Sequence, residues 1–113
     1  MERISSKLKK HENAIIDLLE DYKSERADIE LIIDKKNRHY QLLRTVSDEK
    51  KRYFSSLLMH FSLREDATIC LFENSTETEV ADVLIEKGVR KSDILVGFLP
   101  QSARVHAGYA VVV

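Results

Sequence analysis

The chain reads as an α+β domain: an N-terminal amphipathic helix, a four-stranded antiparallel meander, a second helix and short C-terminal strands. Three observations predict this. The stretch Arg52 to Leu63 alternates along its length, placing Tyr53, Leu57, Met59, Phe61 and Leu63 on one dry face and Phe54, Ser56, Leu58, His60 and Ser62 on a mixed one. Apolar positions at helical spacing precede it, and a second segment with helix start and stop signals follows it. A strand this long needs a neighbour on each side for its hydrogen bonds and a helical layer over its apolar face.

From about Ser6 to Ser24, Leu8, Ile15, Leu18, Leu19 and Tyr22 recur at helical spacing, with Ser5 or Ser6 available as a cap. Adding Ile4 and His11 also suits a coiled-coil seam, but the run is too short to commit to one. Asp28 to Ile33 is rich in Ile and Leu, and the polar turn Asp34-Lys35-Lys36-Asn37 leads into His39 to Val46, which makes a hairpin. Turns at Ser47 to Lys50 and Arg64 to Asp66 then bracket the central strand and lead into Thr68 to Phe72. Four strands in sequence make a meander.

Beyond them, Thr76-Glu77-Thr78-Glu79 has the spacing of a reciprocal cap, and Val80, Ala81, Val83, Leu84 and Lys87 form one face of a helix. Gly88 suits the left-handed position that closes it, with Lys87, Arg90 and Lys91 at the negative end of its dipole. Asp93 to Phe98 is predicted as a short strand or extended segment stopped by Pro100, and Tyr109 to Val113 as a last extended one.

The length of 113 residues fits a single domain over 1–113. Eighteen basic and 19 acidic side chains leave a net charge of -1, so the total attracts no polyanion and any nucleic-acid contact must rely on a local patch. One cysteine, Cys70, excludes an intrachain disulfide and a cysteine metal cluster and suits a reducing cytoplasm. The charged start and the lack of a long apolar run predict neither export nor a membrane anchor.

No catalytic, cofactor or metal site is expected. His11, His39, His60 and His106 are scattered, although His39 and His60 could face each other across paired strands. Cys70 reads as a small buried hydrophobe. Asp34 with Glu49-Lys50-Lys51 loosely matches a nuclease metal motif, but the two turns lie at opposite ends of a shared strand, roughly 40 Å apart at about 3.4 Å per residue. The basic clusters Lys35-Lys36-Arg38 and Lys50-Lys51-Arg52 are separated in the same way, so a nucleic-acid groove would have to be assembled across an oligomer.

Three blocks together resemble the XisI family, the fdxN element excision controlling factors found mainly in cyanobacteria. The first runs from Asp34 through Arg44, with His39-Tyr40-Gln41-Leu42-Leu43. The second is Leu58 to Leu63 followed by Ile69 to Phe72 and Ser75-Thr76-Glu77. The third is Ala81 through Phe98, continuing to Pro100, Arg104 and Tyr109-Ala110-Val111. The resemblance covers nearly the whole chain, its weight resting on the order and spacing of the blocks. The family usually carries tryptophans on its sheet and glycines in the turns near Glu65-Asp66 and Asn74-Ser75, and this chain has neither there.

The resemblance implies a non-enzymatic regulatory role. Proteins of this type act with XisH-type partners to let a separate recombinase excise a DNA element during differentiation of nitrogen-fixing cells. A cytoplasmic homo-oligomer that contacts an XisH-like protein and the recombination machinery is the leading expectation. The alternatives are a direct DNA-binding accessory factor, touching DNA through Lys50, Lys51 and Arg52, and a component of a paired nuclease and inhibitor system. Tyr40, His60, Phe98 and Arg104 are the expected partner-binding residues, since aromatic and basic side chains are favoured at interface centres. Burial in the core is the competing reading for Tyr40 and Phe98.

Overall fold

In the computed structural model, which describes residues 3–111, helix α1 (Ile4–Lys23) crosses one face of a five-stranded sheet. Strands β1 (Ile29–Asp34), β2 (His39–Ser47), β3 (Tyr53–Leu63) and β4 (Ile69–Asn74) form the expected antiparallel meander. A fifth strand, β5 (Ile94–Val96), pairs in parallel with β4, which requires a crossover, and helix α2 (Val80–Glu86) supplies it. Helix α3 (Gln101–Ala107) follows. Among the described residues no helix is long and apolar enough to cross a membrane.

The core lies between the sheet and the first two helices. Ala14, Ile15, Leu18 and Leu19 of α1 and Val80 and Leu84 of α2 pack on Leu42, Met59, Phe61, Leu71 and Ile94. His11 belongs to the same stripe: its Nδ1 donates to the Ala67 carbonyl at 2.6 Å, locking the β3–β4 turn to the helix. That turn holds Ala67 at φ 71, the left-handed conformation that a glycine adopts without strain.

Helix α1 starts at Ile4, so Ser5 and Ser6 lie inside it, and Arg3 occupies the cap position without a side-chain bond. Lys7 Nζ reaches Asp93 Oδ1 at 3.0 Å, in a partly buried contact that binds the first turn to the segment before β5. The reciprocal cap expected at Thr76 and Glu79 also does not form, and α2 begins at Val80. The polar side chains organise the preceding loop instead, with the Thr76 amide donating to Asn74 Oδ1 and the Thr78 amide to Thr76 Oγ1. Gly88, at φ 95, closes α2 as expected, and the Val89 amide returns to the Leu84 carbonyl.

Pro100 ends the extended segment but also opens α3, because a residue without an N–H costs nothing where a helix has no partner for it. Of the last expected extended segment, Tyr109 to Val111 form no strand, although the Ala110 amide bonds the Ile94 carbonyl at 2.9 Å. Val112 and Val113 lie outside the described residues.

The strict alternation expected for β3 is broken. Leu42 pairs with Met59 but Leu43 with Leu57, so Leu58 is an extra residue that shifts the phase. Met59, Phe61 and Leu63 keep the dry face and Leu58 joins them, whereas Tyr53 is 76% exposed. A second irregularity, His60 opposite Glu73 and Phe61 opposite Leu71, leaves Phe72 extra on β4.

Strands β2 and β3 outlast their neighbours. The β1 ladder ends at Arg44 and the β4 ladder at Met59, so Thr45–Ser47 and Tyr53–Leu57 continue as a two-stranded arm on a molecule of 55 × 30 × 24 Å. Asp28 holds its root, taking the Thr45 amide on its carbonyl and Arg44 Nε on its carboxylate. Asp48 closes its tip. Its carboxylate accepts the Lys50 and Arg52 amides at 2.9 Å each and Arg52 Nε at 2.7 Å, and these bonds hold it below the usual carboxylate range.

Candidate interaction surface

The helical layer covers one face of the sheet, and the register assigns the alternate residues Ile32, His39, Gln41, Leu43 and His60 to the other. There His39 and His60 stand diagonally across β2 and β3, with Nδ1 of the first 3.1 Å from Nε2 of the second. That contact needs one ring to donate and the other to accept, so it holds at most one shared proton without bringing two cations together. Burial, and then the charge of His39, lower the pKa of His60. Phe72 packs against His60 with ring centroids 5.6 Å apart.

Gly97 makes that packing possible. A Cβ there would lie 2.7 Å from Phe72 Cδ1, so the ring rests on bare backbone. The patch is therefore built by strands β2, β3 and β4 and the turn after β5. Cys70 is buried nearby on β4, and burial pushes its thiol pKa up, which leaves it protonated and unreactive near neutral pH.

The four residues expected to bind a partner do not converge. His60 lies on the uncovered face. Phe98, 55% exposed, lines a cleft of about 170 Å³ with Leu71, Val80, Val96 and Tyr109 at the end of the sheet. Tyr40 has no exposed surface and its hydroxyl donates to Glu12, so it is a core residue that fastens α1. Burial and the neighbouring carboxylate push the pKa of its phenol far up. Arg104 is also buried, its Nη1 donating to the Leu99 carbonyl at 2.7 Å and its Nη2 to that of Val111 at 3.0 Å. It secures the C-terminal segment.

Lys50, Lys51 and Arg52 all occur at the arm tip, exposed, with Arg52 paired to Asp48. Lys35, Lys36 and Arg38 lie at the far end of β2, as turn counting predicts, and the two clusters form no common patch in one chain. Among the described residues no group of three or more His, Cys, Asp or Glu side chains converges to hold a metal ion. Sequence reasoning missed Phe72 and the exposed pair Tyr53 and Phe54 as surface features. The signal for the arm was strand length, since strands of nine and eleven residues flanked by strands of six must protrude.

Comparison with known proteins places this architecture. The family model described as XisI protein matches residues 5–111. A crystal structure of a XisI-like protein from Anabaena variabilis superimposes with a TM-score of 0.81 at 27% identity, covering 93% of this chain and 99% of that one. The fdxN element excision controlling factor XisI, also from Anabaena variabilis, gives a TM-score of 0.77 at 23% identity over 94% of this chain and 99% of its own. The search of curated proteins found no match.

Proposed function

The chain belongs to the XisI family, whose model spans residues 5–111, and from that membership we propose that it is a non-enzymatic accessory protein controlling excision of a DNA element. It acts through protein contacts, with an XisH-like protein as the partner. The reading is supported by a structural relative, the fdxN element excision controlling factor XisI of Anabaena variabilis, which shares the fold along nearly the whole chain. The observation that carries the mode of action is the uncovered sheet face. His39, His60 and Phe72 form an ordered aromatic cluster there, beside the exposed Ile32, on the face opposite the buried core. Aromatic groups held rigidly on a bare sheet contribute contact area at little entropic cost, which suits a protein interface.

The experiment is co-purification of the tagged chain with the XisH-like protein of its host, in extract with and without nuclease treatment, comparing wild type with Phe72→Glu and His60→Glu. Retention by wild type and loss in both variants is expected. Retention that depends on intact DNA and falls steeply with salt, and that is abolished by Lys50→Ala with Lys51→Ala, replaces this reading with direct DNA contact. Retention unaffected by either pair moves the interface off the uncovered face.

A further inference from the structure

Strand β3 is flanked by β2 along its length but by β4 only from Met59 onward, and the last backbone bond on that side joins the Ser75 amide to the Leu58 carbonyl at 2.8 Å. Among the described residues, Tyr53 to Leu57 is thus an open strand edge. The Asp48 amide bonds the Arg52 carbonyl at 2.9 Å at the base of the hairpin turn. Counting the antiparallel alternation from there, the amides and carbonyls of Phe54 and Ser56 face β2, and those of Tyr53 and Ser55 face outward. Thr45, opposite Ser55, agrees, because its amide also turns away from the hairpin, to the Asp28 carbonyl at 3.0 Å. Sheets normally guard such an edge with a lysine, a proline or a covering segment, and Tyr-Phe-Ser-Ser-Leu has no charge and no proline.

We propose that a second copy of this chain occupies the edge, the two β3 strands pairing antiparallel about a two-fold axis at Ser55 and joining two sheets into one. The register follows from the structure: Ser55 against Ser55 is the arrangement in which Tyr53–Leu57 of each copy meets the whole of the same stretch in the other. The outward Ser55 groups then exchange both backbone bonds across the axis, and Tyr53 of each copy faces Leu57 of the other, an aromatic and aliphatic pair made twice.

Charge favours a second copy over a foreign strand. The position after Leu57 on the free side is taken by Ser75, and the residue before Tyr53 is Arg52. Pairing therefore carries the Lys50-Lys51-Arg52 turn of each copy against the loop of the other that bears Glu77 and Glu79. Symmetry makes this contact twice. The two basic tips sit at opposite ends of the joint, separated by about 25 Å at roughly 3.4 Å per residue, beyond the range at which they repel in physiological salt. The inference does not depend on the excision reading.

The test is sedimentation of the full chain across a concentration series. A reversible dimer that weakens as salt is raised is expected, and Ser55→Pro, which removes an outward amide, should raise the dissociation constant by about tenfold or more with the far-UV spectrum unchanged. Independently, Ser55→Cys should oxidise to a disulfide-linked dimer, since paired residues of this kind place their Cα atoms about 5.5 Å apart, whereas Ser56→Cys should not. A wild-type chain that stays monomeric, a dimer that survives Ser55→Pro, or equal cross-linking at Ser56 would each overturn the proposal.

Discussion

Arg104 decides between two roles that a sequence cannot separate, an interface residue and an internal clamp. In the structure its guanidinium is buried and donates to the carbonyls of Leu99 and Val111. Two charge-assisted bonds are worth about 1.5–3 kcal/mol each. Against this stand the cost of burying the cation and an Nε that is buried without a partner. Arg104→Ala should therefore destabilise the fold by about 2–4 kcal/mol net. For a domain of this size that is a fall in Tm of about 8–16 °C, at about 4 °C per kcal/mol. Urea unfolding followed by far-UV circular dichroism measures it, with the slope unchanged and the midpoint lowered. Arg104→Lys should recover less than half of the loss, because an ammonium lacks the planar fork that reaches two carbonyls. If Arg104→Ala unfolds within about 0.5 kcal/mol of wild type, the clamp reasoning is wrong and Arg104 returns to the list of partner contacts.

Three further outcomes are expected. Gly97→Ala should cost about 1–3 kcal/mol by driving a Cβ into Phe72, and the cost should largely vanish in a Phe72→Ala background, a coupling that a double-mutant cycle reads directly. The His39–His60 pair should make stability depend on pH. The folded pKa of His60 is lowered, so the native state binds fewer protons than the unfolded chain, and stability is complete above the unfolded value near 6.5 and lost as pH falls below it. His60→Gln should flatten that slope in unfolding curves taken between pH 7.5 and pH 5, values that bracket the unperturbed histidine pKa of about 6.5. Tyr40→Phe should lose about 1–2 kcal/mol by leaving Glu12 without its donor, and should leave partner binding unchanged once the fold is secured.

Much of the fold was legible in the chain. The stripe of Ile15, Leu18 and Leu19, the meander of four strands, the Gly88 stop and the opposite placement of the basic turns all follow from local periodicity and from counting residues between turns. What was not legible depended on partners distant in sequence. Ser5 and Ser6 are good caps, yet the helix begins at Ile4 and includes both, while Lys7 in its first turn reaches Asp93, 86 residues away. Pro100 was read only as a stop, although the same missing N–H also allows it to begin α3.

The interaction surface shows the same division. Tyr40 and Arg104 have residue types that interfaces favour, yet their side chains are consumed inside the molecule by Glu12 and by two backbone carbonyls. Sequence alone determined which stretches extend or coil, because a period of two or of 3.6 residues is a property of the local chain. It also carried the family, through the order and spacing of its blocks. Only the tertiary structure decided which face of the sheet stays bare and which edge stays open. A single extra residue at Leu58 reverses every side chain beyond it, and strand ends are set by where neighbouring strands stop, so burial there is a property of the assembled sheet.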